Sequence, residues 1–348
     1  MSTGDGTTPA RTSGAPASGP AQGEGARTAT LGPRRTPGLV PVTETMRTAE
    51  RRPAGPGNEP ANGPAERAVP EPARTTAVGA FLRLLGSELG LTFRRPRNLV
   101  MLAVLAVVPV IVGVALRLFG SGDGEMGGIV QNVVGNSLML TFVSFSFLVL
   151  LLMPVAVSVV AGDSIAGEAG SGTLRYLLAA PAGRTRLLAV KYLNAALYSY
   201  AVTAVVALSA LATGLILFPA GDVTLLSGTT ISLGEGLLRI AVAVGYVGAA
   251  MAALAAVALT LSVFTEVAIG AIAGTMVLVI VCQVLRAIPE LSAITPYLLP
   301  TRFMDFDAVL RSPIDTAALR DGLLTFGAYI VLSGSIAWAR FSGKDITS

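Results

Sequence analysis

Histidine is absent, cysteine occurs once in 348 residues, and charged side chains make up only 13% of the chain. Each shortage excludes something. Without histidine, the commonest metal ligand and the commonest general base are both missing. A Ser-His hydrolase cannot be built from this chain. The lone Cys282 sits in an apolar run, which rules out a disulfide framework or a Cys-ligated zinc site within one chain. Soluble domains carry about 25% charged residues. A chain with half that share, 52% hydrophobic residues and a mean hydropathy of +0.68 belongs in a membrane. The formal charge of +4 comes almost wholly from arginine and is too mild for a nucleic-acid footprint, so no nucleic acid is expected as a partner.

The membrane segments lack the groups that ion-coupled carriers need at mid-membrane. Arg117, Glu266 and Arg286 lie at segment ends and Arg239 lies near one. Polar residues inside the segments, such as Ser144, Ser146, Tyr198, Tyr200 and Gln283, are expected to pack helices and bond locally. The run Gly120-Ser121-Gly122-Asp123 spells the G-x-G-D of membrane aspartyl proteases, but no second aspartate has a place inside a span. No G-x-x-x-x-G-K-[ST] occurs, so if ATP drives this protein, another chain binds it.

What is present begins at residue 77. Met1 to about Thr76 is rich in Pro, Gly, Ala and Thr, with no apolar run that could found a core, and reads as a disordered cytoplasmic tail. It has no apolar h-region of a signal peptide. A partner-binding role and a dispensable extension are both open, and the composition favours the second. From Ala80 to Phe93, Phe81, Leu82, Leu85, Leu89 and Phe93 share one helical face, with Arg83, Ser87, Glu88 and Arg94 opposite. Pro96 separates this amphipathic helix from the next element, and Arg94, Arg95 and Arg97 suit a helix lying flat on membrane lipid at the cytoplasmic interface.

Six spans follow: Leu99 to Phe119, Asn136 to Ala161, Asn194 to Phe218, Leu237 to Phe264, Val267 to Ile288 and Leu323 to Ala339. Each is near or above the roughly 17 to 25 apolar residues that a bilayer requires. The fold class is therefore an all-α polytopic membrane protein: an interfacial helix plus six transmembrane helices after a disordered tail. Basic residues before the first span, in the loop after the second and at the C-terminal end place both termini in the cytoplasm of a multi-pass plasma-membrane protein. In the external loop 289–321, Phe303, Met304, Phe306, Val309 and Leu310 are expected to form a short helix on the outer membrane face.

The loop 162–192 holds most of the charge between the spans. Its ordered residues are Asp163, Gly167 and Glu168, then Gly172, Thr173, Leu174, Leu177 and Leu178, then Pro181, Arg184 and Lys191. Gly167, Gly170 and Gly172 would let the backbone turn sharply as it leaves the membrane. Thr173 to Leu178 would form a short helix, with Pro181 and Gly183 ending it. Arg184, Arg186 and Lys191 would anchor the third span at the headgroups.

This spacing resembles the cytoplasmic loop of ABC-2 type ABC transporter permeases. The interfacial helix, the six spans and a tail of the form Phe341-x-x-Lys344-Asp345-Ile346 extend the likeness from about Ala80 to the end. The resemblance implies a 77–348 permease domain without enzymatic activity and an exporter whose loop 162–192 carries the coupling helix. It also implies a separate ATP-binding subunit that holds ATP and Mg, and a second permease chain in a homo- or heterodimer. Ala169, Gly170 and Ser171 stand where the family commonly has further charged residues, which leaves Glu168 as the acid expected to face the ATPase. The alternative is a non-transporting six-span scaffold or sensor.

Overall fold

A computed structural model describes residues 77–119, 136–172, 183–219, 223–224 and 229–343, all within one compact unit, Glu71–Ser348. The tail 1–76 lies outside the described residues. The chain is an all-α polytopic membrane protein. Its helices are α1 (Ala77–Arg94), α2 (Pro96–Phe119), α3 (Met139–Leu148), α4 (Leu152–Gly170), α5 (Arg184–Leu217), α6 (Leu233–Phe264), α7 (Ala268–Arg286) and α8 (Thr316–Ser342). A two-residue antiparallel pair, β1 (Val223–Thr224) and β2 (Thr230–Ile231), precedes α6. Three 3₁₀ segments, Pro289–Leu291, Thr295–Tyr297 and Leu299–Leu310, link α7 to α8. Six helices are long and apolar enough to cross a membrane: α2, α4, α5, α6, α7 and α8.

Proline sets two of the boundaries. Pro96 opens α2 at the position where its missing N–H costs nothing, so α1 and α2 are separate helices that meet at Arg95, the elbow between them. Pro154 lies in the first turn of α4, and in a continuous helix its ring would strike the carbonyl of Leu150. The stretch Asn136 to Ala161, expected as one span, is therefore two helices broken at Val149–Leu151. The spanning helix is α4, displaced toward the C-terminus, and it carries Asp163, Gly167 and Glu168 inside it rather than in a loop.

At the centre stands α6. Its apolar window is 83% buried, against 17% for α2 and 22% for α7 and α8. The small residues from Ala249 to Ala258 let α4, α5, α7 and α8 approach it closely. The outward faces of α2, α7 and α8 expose Val107, Ile111, Ile280, Val284, Val331 and Leu332, as helices facing lipid do.

The segment Leu299–Leu310 corrects an expectation. Instead of lying on the outer membrane face, Phe303, Phe306 and Leu310 are buried in the main core, and Val309 is buried as well. Phe306 meets Phe145 of α3 edge-on with ring centroids 5.7 Å apart. Backbone buried this way must have its polar groups satisfied. Arg239 of α6, itself buried, donates to the carbonyls of Val309 at 2.5 Å and Arg311 at 2.9 Å while pairing with Glu235. Tyr246 donates to the Arg302 carbonyl at 2.9 Å. Burial raises the Asp305 carboxyl above the ordinary aspartate value, and the Arg302 side chain bonded to it opposes that rise.

Candidate functional site at the α1 end of the bundle

The elbow of α1 and α2, the C-terminal half of α4 and the N-terminal third of α5 enclose a polar cavity of about 430 Å³. Two charge clusters form its walls. At the elbow, Arg95 and Arg97 both donate to Oδ2 of Asp163, at 2.8 and 2.5 Å. Gly167 lies one turn beyond Asp163, and a Cβ there would crowd Oδ1, so this glycine leaves room for the carboxylate to lie along the helix. Deeper in, Nζ of Lys191 donates to Oε1 of Glu168 at 2.6 Å and lies 3.6 Å from Oε2 of Glu88.

Lys191 is only 1% exposed. An isolated ammonium at such depth would carry a large desolvation cost, and the two carboxylates offset it. Lys191 thus joins α5 to α4 and α1. It does not reach out to the headgroups. Glu168, expected on an exposed turn, lies within the last turn of α4 and faces Lys191. Arg184 donates to the Ser342 carbonyl of α8 at 2.8 Å, at an exposed position. Trp338 adds a second tie between α8 and α5 by donating Nε1–H to the Thr185 hydroxyl at 3.1 Å. Beneath these ties, Ile165, Leu187, Leu188, Leu259, Val263 and Phe341 form a separate apolar cluster.

The sharp turn comes later than expected. Gly167 and Gly170 are helical, and the backbone first enters the left-handed region at Gly172, with φ of 70°. Gly183, at φ of 71°, enters it again just before α5. Both are conformations that other L-residues resist. Thr173, Leu174, Leu177, Leu178 and Pro181 lie between these glycines, outside the described residues. The structure brings Asp163, Gly167, Glu168 and Lys191 together at the cavity and places Arg184 beside the end of α8.

Residue-pattern reasoning missed the other wall. Thr92, Asn98 and Asn194 are all buried here: Asn98 Nδ2 donates to the Thr92 carbonyl at 2.9 Å and Asn194 Nδ2 to the Thr92 hydroxyl at 2.8 Å. A signal was available, because Glu88 and Thr92 lie four residues apart on α1, and Lys191 and Asn194 three apart on α5. Among the described residues no group of three or more Asp, Glu or Cys side chains is placed to hold a metal ion.

The fold and this charged, membrane-end cavity define a multi-pass α-helical membrane protein. Residues 125–347 match the family described as "Protein of unknown function (DUF2705)", and the chain belongs to that family. The match includes α4 and α5 and leaves α1 and α2 outside it. Among curated proteins, none matches the chain.

Proposed function

We propose that the chain is the membrane-spanning subunit of an ABC-2 type exporter. It would work in the plasma membrane with a second permease chain, and a separate ATP-binding subunit would dock on the 173–182 segment. One observation carries this reading: both flanks of that segment are tied into the helix frame. Asp163 and Glu168 hold α4 to α1, α2 and α5, while Arg184 and Thr185 hold the start of α5 to α8. A displacement of the segment by a closing ATPase would be passed to several spans at once, as a rigid-body transition requires. Arg94, Arg95, Arg97 and Arg184 gather at this end, which supports a cytoplasmic placement of it and of both termini.

In this reading the docking contact lies beyond Glu168. Glu168 positions the frame, and the partner's contacts fall to Thr173, Leu174, Leu177, Leu178 and Pro181. The test replaces residues 173–182 by a Gly-Ser stretch of equal length in the full chain, followed by affinity purification from the native host. The expected outcome is normal membrane level with loss of the copurifying ATP-binding subunit. Equal recovery of that subunit from both forms would overturn the docking site.

A further inference from the structure

At the C-terminal end of α7 the chain forms a second recess, an open groove of about 360 Å³ between the last turn of that helix and the 3₁₀ segments that follow it. Arg286, Ile288, Ser292 and Arg302 are in its lining, and no carboxylate is. The two cations come from different elements. Arg286 stands in the last turn of α7, is exposed, and makes no hydrogen bond or salt bridge among the described residues. Asp305, whose carboxyl Arg286 also influences, is already held by Arg302.

Arg302 belongs to the segment Leu299–Leu310 and is fixed in place, with Nε donating to the Pro296 carbonyl and Nη1 to Oδ2 of Asp305, both at 3.1 Å. Its Nη2 has no acceptor among the described residues. The Ser292 hydroxyl is exposed and likewise makes no hydrogen bond there. A lone arginine at a helix end is ordinarily a solvated anchor. Here a second guanidinium, only 22% exposed and pinned by two bonds, shares the groove with it, so free N–H and O–H donors converge on one recess. Such a set suits the oxygens of a phosphate.

The rim of the groove is apolar. Ile288 continues the exposed stripe Val277, Val281 and Val284 of α7 at three- and four-residue spacing, which leads the lipid-facing side of the helix into the groove. Ile294 and Tyr297 are also exposed at this end, and a tyrosine with arginines at the end of an apolar helix marks a membrane interface. A ligand that meets both surfaces carries a phosphate and acyl chains together. We propose that this groove binds the phosphate of a membrane phospholipid, held by Arg286, Nη2 of Arg302 and the Ser292 hydroxyl, with an acyl chain beside Ile288, Val284 and Val281. The inference stands apart from the transporter reading, since the groove lies within one chain and needs no ATPase.

The experiment uses the full chain purified in detergent. Native mass spectrometry compares the retention of phosphatidylglycerol with that of diacylglycerol bearing the same acyl chains. The expected result on the wild-type protein is at least about tenfold more phosphatidylglycerol, the factor that one charge-assisted hydrogen bond supplies. Arg286→Gln, at an exposed position with no bonds to the fold, should remove most of that excess. Arg320→Gln, 71% exposed on α8 and outside the groove, should keep it, which separates the site from general attraction to cationic surface. Equal retention of the two lipids by the wild-type protein, an unchanged excess in Arg286→Gln, or an equal loss in Arg286→Gln and Arg320→Gln would overturn the proposal. So would displacement of phosphatidylglycerol by glycerol phosphate at equal concentration, which would assign the groove to a soluble phosphate ester.

Discussion

Three helices meet at one ammonium group, and the energetics of Lys191 follow from its burial. Removing the buried cation takes the Lys191 ammonium away from both Glu88 and Glu168, each under one quarter exposed. Breaking a buried pair typically costs about 3–5 kcal/mol, and the partial exposure of these carboxylates puts the value near the lower end. Lys191→Met is therefore expected to lower the thermal midpoint of the detergent-solubilised protein by several degrees, and Lys191→Met with Glu168→Met to recover part of the loss. An unchanged midpoint in the single variant would show that the ammonium is not structural. Glu168→Arg is expected to behave as a folding variant, because it replaces the carboxylate that lies 2.6 Å from Lys191 Nζ with a second cation. Local pattern could not disclose this, since a glutamate at a membrane boundary and a lysine at a helix start are ordinarily solvated. Only the third wall, supplied by α1 from more than 70 residues away in sequence, turns them into a buried cluster.

At the scale of the element, the displaced second span and the tucked segment Leu299–Leu310 decide where the polar chemistry lies. Hydropathy made the existence and number of spanning helices legible, because an apolar stretch of that length has few other uses. It did not place the second one, since the apolar run continues through the break that Pro154 imposes. For Leu299–Leu310 the apolar residues were visible, but their direction was not. A short amphipathic helix can cover a membrane or fill a bundle, and the choice rests on Arg239, which satisfies the carbonyls at its far end. The expected outcome is tested in a Cys282→Ser background: Asp307→Cys, at an exposed position, should react with a thiol reagent, and Val309→Cys, at 0% exposure, should not. Adding Arg239→Met takes the donor from the buried Val309 carbonyl, at about 1–3 kcal/mol, and from the part-buried Arg311 carbonyl, and should make Val309→Cys reactive. Reactivity of Val309→Cys in the presence of Arg239 would contradict the tucked arrangement.

At the scale of the molecule, α1, the ends of α4 and α8 and the start of α5 share one end of the bundle, while Leu299–Leu310 packs at the start of α6 toward the other. With the first end in the cytoplasm, an impermeant thiol reagent on intact cells should label Asp307→Cys and leave Ser171→Cys unlabelled. The reverse pattern would invert the orientation. If the 173–182 segment touches an ATP-binding subunit, as we propose, a photo-crosslinking amino acid at Leu177 of the full chain in living cells will capture that subunit. The expected product is a covalent adduct, identified by mass spectrometry, with a chain that carries a phosphate-binding G-x-x-x-x-G-K-[ST] motif; the same probe at lipid-facing Leu332 should give none. Robust crosslinking at Leu177 to lipid alone, with no ATP-binding chain in any adduct, would contradict the claim.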